Sequence, residues 1–232
     1  VRQKSIKERL WVSMKIIGFD FDGVFINIEN EKAKLFGDVV HKYWDIDPII
    51  ASKLWLDKLG TSRKYKFDVL FWKKNHKELD EENYYEIEKI FSSILIKDYY
   101  PSADIINETF EVARDMNGKF DLTFISSGVP NLELNVLATN LELNMHFDFV
   151  LGTDEKFRSK RDHFQMISQE NSCSLMIFIG DGLEDMRIAK EFNFIAIGLP
   201  ANHSPQKLLD AGADFICTYS QLKQRIISLS ED

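Results

Sequence analysis

Met14-Lys15-Ile16-Ile17-Gly18-Phe19-Asp20-Phe21-Asp22-Gly23 decides the reading of this chain. An apolar run without alternation drives straight into two carboxylates spaced one residue apart. A run of that kind is expected of a parallel strand covered on both faces, with Asp20 and Asp22 just beyond its carboxyl end. The pair resembles the start of an EF-hand calcium loop. That loop needs an acidic or amide side chain at its fifth position and Gly at its sixth, where this chain has Val24 and Phe25, so the calcium reading fails.

The same pattern recurs downstream. Leu122–Ile125 runs into Ser126, 147–151 into Gly152, Met176–Ile179 into Gly180-Asp181, and 194–197 into Gly198. Between these runs, segments 102–116, 131–141, 160–170, 183–192 and 204–211 carry helical periodicity. In the first, Ile105, Ile106, Phe110, Ala113 and Met116 share one face. Strands alternating with helices predict an α/β fold, a Rossmann-like doubly wound parallel sheet with right-handed crossovers. Residues 27–99 break the rhythm. They are rich in Lys, Glu, Trp and Tyr, and they read as several helices, the clearest over 80–96 with Asp80 as its cap. The expected organisation is therefore a core of residues 14–26 and 100–232 with an α-helical domain, 27–99, inserted after the first strand.

Open α/β sheets bind ligands beyond the carboxyl ends of their strands. The polar residues there are Asp20 and Asp22, then Ser126, Ser127 and Gly128, then Asp181 and Asp185, and all would converge on one crevice. So many carboxylates together raise one another's pKa unless a cation sits among them, and an oxygen-only set suits Mg²⁺. Phosphate would add negative charge and needs a cation from the protein. Lys160, opening the helix at 160–170, is placed to supply it. Ser126-Ser127-Gly128 offers a hydroxyl and backbone N–H groups, with Pro130 suited to a first helical turn: a phosphate cradle.

Composition narrows the partners. The chain has 232 residues, 44% hydrophobic and 28% charged, with net charge −8. That acidity gives no general reason to bind nucleic acid or an anionic membrane. Cys173 and Cys217 follow no metal-ligand spacing and read as small buried side chains of a reducing compartment. With no apolar stretch long enough for a bilayer, the expected location is the cytoplasm. Residues 1–13 carry Arg2, Lys4, Lys7 and Arg9 against Glu8. They read as an extension before a working start at Met14, or as a short basic amphipathic helix that docks on something.

Asp20-Phe21-Asp22-Gly23, Ser126, Lys160 and Gly180-Asp181 through Asp185, in that order, resemble the four motifs of the haloacid dehalogenase (HAD) superfamily of phosphotransferases over residues 14–218. The long interval before Ser126 and the short one before Lys160 resemble the subclass with a helical cap after the first motif, as in phosphoglycolate phosphatase and β-phosphoglucomutase. The resemblance implies that Asp20 is the nucleophile and forms an aspartyl-phosphate. It implies that Asp22 is the general acid and base, and that Ser126 and neighbouring amides hold the phosphoryl oxygens while Lys160 neutralises charge. Mg²⁺ is implied on the Asp20 and Asp181 carboxylates and the Asp22 carbonyl, with Asp185 orienting its waters or Lys160. Dehalogenases of the family lack a carboxylate at the position of Asp22, so phosphate chemistry is favoured. Val24 and Arg161 depart from the Thr and Pro frequent in relatives, without touching the reacting groups.

Leu59-Gly60-Thr61-Ser62-Arg63-Lys64 resembles the cap loop that faces the active site in the β-phosphoglucomutase branch. Arg63 is accordingly expected either to contact a substrate anion or to begin the next helix in solvent. His41, Lys42 and Trp44 are weaker candidates, and His76, His146, His163 and His203 follow no ligand spacing. The expected activity is Mg²⁺-dependent hydrolysis of a small phosphorylated metabolite. The alternatives are a phosphosugar mutase and a non-catalytic binding protein on the same fold.

Overall fold

The computed structural model describes residues 14–168 and 173–231; the expectations for residues 1–13 lie outside them. Strand β1 (Met14–Phe19) pairs in parallel with β4 (Leu122–Pro130) on one side and β6 (Cys173–Gly180) on the other. With β5 (Phe149–Thr153), β7 (Ile195–Gly198) and β8 (Phe215–Ile216), they form a six-stranded sheet of order β5-β4-β1-β6-β7-β8. Burial on both faces is why β1, β4 and β6 read as continuous apolar runs. The order reverses at β1, so the crevice beyond its carboxyl end is the topological switch point. Phe19 is in register with both Ile125 and Ile179. Asp20, Ser126 and Gly180 therefore lie at one level of the sheet.

Helices cover both faces. They are α5 (Asn107–Met116), α6 (Asn131–Asn140), α7 (Lys160–Ser168), α8 (Leu183–Glu191), α9 (Pro205–Asp210) and α10 (Tyr219–Glu231). One face buries Ile17, Phe19, Phe25 and Ile125, and the other Ile16, Phe124, Phe164, Phe178 and Phe194. α5 begins at Asn107, later than the periodicity suggested. Asp104–Ile105 instead form β3, antiparallel to β2 (Ile26–Asn27), and Ile105 is exposed. The Ile106 N–H donates to the Phe25 carbonyl. The backbone is thus held extended where the side-chain spacing alone read as helix.

Between β2 and β3 run α1 (Glu29–Trp44), α2 (Pro48–Asp57), α3 (Arg63–Asn75) and α4 (Glu81–Ile94), the last continuing into a π-helical turn over Leu95–Tyr99. Local chemistry sets their starts. Asp47, Ser62 and Asp80 each accept a backbone N–H at a helix N-terminus, and Pro48 fills a first turn. This helical unit has its own aromatic core, in which Phe36, Trp55, Phe67 and Phe91 meet at tilted or edge geometries. Among the described residues, no helix is long and apolar enough to cross a membrane.

Candidate active site

Asp20 is 4% exposed and Asp185 and Lys160 are fully enclosed. The Lys160 ammonium lies 2.8 Å from Asp20 Oδ1 and 2.5 Å from Asp185 Oδ1. It is the first residue of α7, which packs behind the crevice. Burial opposes the charge of Lys160, but the two carboxylates outweigh it and hold its pKa above the ordinary value. Asp20 is fixed from behind, its carboxylate accepting the Phe21 N–H and its own N–H donating to the Ile179 carbonyl. Burial pushes Asp20 well above the usual carboxylate range, and repulsion from Asp185 and Asp181 adds to it against Lys160. Asp181 is pushed up to about 8, by burial first and Asp185 second. The Asn202 amide donates to it at 2.8 Å.

Asp22 faces a different partner. Its Oδ1 lies 2.5 Å from the ammonium of Lys32, a residue of α1 that is 1% exposed. Burial raises the Asp22 pKa despite that cation. Lys32 also lies 3.7 Å from Glu29 and over the ring of Tyr100.

Of the expected phosphate cradle, Ser127 and Gly128 line the cavity, and Ser126 is not among its lining residues. The Ser126 hydroxyl bonds to His163 Nδ1 at 2.8 Å, while His163 Nε2 faces the Gly152 carbonyl at 3.0 Å. Burial lowers the pKa of His163 to about 4, so a neutral ring holds Ser126. Ser127 and Gly128 line the central cavity together with Asp20, Asp22, Lys160 and Asp181.

Arg63 lies neither in solvent nor free in the cavity. It is 2% exposed and grips Glu133 of α6 through two parallel bonds, Nη2–Oε1 at 2.7 Å and Nη1–Oε2 at 2.9 Å. Glu88 and Ser92 take further bonds, and the guanidinium stacks on Phe91. Burial alone would raise the Glu133 carboxyl; Arg63, helped by Ser92 and Tyr100, holds it down at about 2. The loop before Arg63 closes over the crevice by backbone contact. A Cβ on Gly128 would fall 2.5 Å from the Thr61 carbonyl oxygen, and one on Gly182 would fall 3.0 Å from Gly60 N. Glycine is what lets the two surfaces meet. The cavity under the loop leaves about 30 Å³ for the centres of water-sized molecules, roughly two waters.

Lys32, Lys66, Glu29 and Trp55 also line this cavity and carried no sequence signal. All four come from helices of the irregular stretch, where Lys and Glu are common. A tight packing position for Lys32 is readable only once Asp22 is seen beside it.

The donor set suits a hard cation. Oxygen atoms of Asp20, Asp181 and Asp185 lie within 4.8 Å of one another, and Asp20 and Asp185 share one ammonium. Gly23, at φ 70°, gives Asp181 its place, since a Cβ there would lie 2.3 Å from Asp181 Oδ2. Carboxylate ligands with no sulfur or imidazole match Mg²⁺ chemistry.

The profile of the haloacid dehalogenase-like hydrolases matches residues 14–193. The chain belongs to that family. Solved structures of similar fold include a predicted phosphatase from Clostridium acetobutylicum, with TM-score 0.73 and 18% identity over 94% of this chain and 100% of that one. A hydrolase from Pseudomonas syringae gives 0.74 and 14% over 93% and 99%. A candidate β-phosphoglucomutase from Bacteroides vulgatus gives 0.72 and 14% over 95% and 90%. No curated protein matches the sequence. The chain is thus a haloacid dehalogenase-like hydrolase whose fold is shared along nearly its whole length.

Proposed function

We propose that this hydrolase is a phosphatase of small phosphomonoesters that works through an aspartyl-phosphate on Asp20. The observation that carries the reading is the separation of two carboxylates on one turn. Asp20 faces Lys160 and the acidic cluster, whereas Asp22 faces Lys32, yet both line the same cavity. Environments that differ in this way suit one carboxylate for attack and the other for proton transfer.

In this scheme an Asp20 carboxylate oxygen attacks phosphorus, and the bond from phosphorus to the ester oxygen breaks. Asp22 gives its proton to the leaving oxygen. Water then attacks the phosphorus of the acyl phosphate and loses a proton to Asp22, and the bond to Asp20 breaks, releasing phosphate. Lys160 and the backbone N–H groups at Ser127 and Gly128 neutralise the transferring group, while Ser126 is held in place by His163. When bound, Mg²⁺ would be held by Asp20 and Asp181, with Asp22 contributing its backbone carbonyl and Asp185 orienting the site, and would supply charge neutralisation at the phosphoryl oxygens. Residues 27–99 act as a cap over a core of 14–26 and 100–232. Arg63 serves to fasten the cap to α6 through Glu133 rather than to bind substrate.

The test is phosphate release from a panel of phosphorylated metabolites with and without Mg²⁺. Metal-dependent release that falls by about 10⁴-fold or more in Asp20→Asn is expected for loss of a nucleophile. Undiminished turnover in that variant would overturn the mechanism.

A further inference from the structure

Lys66 is a buried ammonium without a counter-ion. It is 5% exposed on α3 and lines the cavity beside Asp22, Lys160 and Ser127. Among the described residues its hydrogen bonding is limited to the Thr61 carbonyl at 3.2 Å. An ammonium has three N–H donors, so two have no protein acceptor. Its charge lies over Trp55, with Nζ 4.3 Å from the ring centroid. The nearby carboxylates are engaged elsewhere. Glu29 accepts the Trp55 indole N–H at 2.6 Å and lies near Lys32, and Asp22 is paired with Lys32.

Burying a cation without a partner is unfavourable, and burial lowers the Lys66 pKa to about 8. The other buried cations of the site each have a carboxylate within ion-pair distance. Position says what Lys66 is for. The Thr61 carbonyl it touches is the one packed against Gly128, so the ammonium stands at the edge of the proposed phosphate cradle, on the helical side of the cavity. An ester group leaving from phosphorus would extend to that side.

We propose that Lys66 is a specificity-determining residue that binds a carboxylate at the far end of the substrate, making the preferred substrate a short phosphorylated carboxylic acid. Trp55, which lines the same cavity, forms the wall beside the carboxylate. This inference rests on the phosphatase reading for the phosphate end of the ligand.

The experiment uses matched esters, 3-phosphoglycerate and glycerol 3-phosphate, which differ at one end by a carboxylate against a hydroxymethyl group. With the intact protein, kcat/KM should favour 3-phosphoglycerate. Lys66→Met should lower it for that ester by about 10- to 100-fold, mainly through KM, as expected for losing a charge-assisted contact. Glycerol 3-phosphate should change less than about threefold, and Lys66→Arg should retain most of the preference. Equal losses on both esters would assign Lys66 to the phosphoryl group or to packing and overturn the proposal. Equilibrium binding of the same two esters to Asp20→Asn, with and without Lys66→Met, reads the preference without turnover. Loss of the preference supports the proposal and unchanged affinities refute it. A chain that hydrolyses no phosphomonoester would defeat the phosphatase reading while leaving this binding comparison decisive.

Discussion

Arg63 and Glu133 are joined by two parallel hydrogen bonds, at 2.7 and 2.9 Å, between a helix of the inserted unit and a helix packed on the sheet. Both side chains are buried, so each neutralises a charge that the interior would otherwise exclude. Removing Arg63 leaves Glu133 buried without a cation, typically costing about 3–5 kcal/mol, whereas Arg63 without Glu133 keeps its ion pair with Glu88; removing both members of a buried pair is often close to neutral. Arg63→Met should lower stability by about 3–5 kcal/mol, and Glu133→Leu by less. The double variant should recover most of the loss in a urea-unfolding cycle. Additive losses would mean that the pair does not act as a unit.

His163 gives stability a pH dependence of known sign. Its folded pKa of about 4 lies below the ordinary 6.5, so the unfolded chain binds more protons between those values. The contribution is complete above pH 6.5 and lost as pH falls toward 4, by at most about 3 kcal/mol. Denaturation midpoints measured from pH 4 to 7.5 should fall more steeply for the intact chain than for His163→Asn. Parallel curves for the two proteins would remove His163 from the account.

Metal binding should be visible without substrate. Mg²⁺ at about a hundred times its dissociation constant adds about 2.7 kcal/mol, which for a chain of this size raises Tm by about 5–10 °C. A chelator should reverse the rise. Asp181→Asn should abolish it, and a full shift in that variant would exclude Asp181 as a ligand.

The Lys66 ammonium is faced by Glu29 and Lys32 from α1, Asp22 from the turn after β1, and Lys160 from α7. With its pKa lowered to about 8, its charge is present at pH 7 and largely gone by pH 9. The ratio of KM for 3-phosphoglycerate to KM for glycerol 3-phosphate should therefore rise about tenfold across that interval. Lys66→Arg stays charged and should flatten the ratio; a ratio that climbs equally in both proteins would trace the effect to another group.

The sheet was legible because β1, β4 and β6 are buried on both faces, which writes itself into sequence as unbroken apolar runs ending in polar residues. The convergence of Asp20, Lys160, Asp181 and Asp185 follows from that topology and could be read with it. Arg63 could not be placed in the same way. Its partner Glu133 lies 70 positions away and looks like any acidic residue in a helix's first turn. The burial of Lys32 and Lys66 was invisible for a related reason. Long basic side chains are usual on solvent-facing helices, and only the three-dimensional packing of α1 and α3 against the crevice turns them inward. β2 and β3 are two residues each, too short to show any period, and an apparent helical stripe ran through β3.

That short ladder has an evolutionary consequence. Ile26 pairs with Ile105 and Asn27 with Asp104, so the chain leaves the sheet domain and re-enters it at neighbouring points. Whatever is spliced between those points need only bring its two ends together, and the entropy of closing such a loop grows slowly with its length. The helices between them could be lengthened, shortened or replaced wholesale while β1 and β4 kept their register and the carboxylates stayed aligned. The ladder is a socket: the helices it holds could be exchanged as a unit without disturbing the strands beneath.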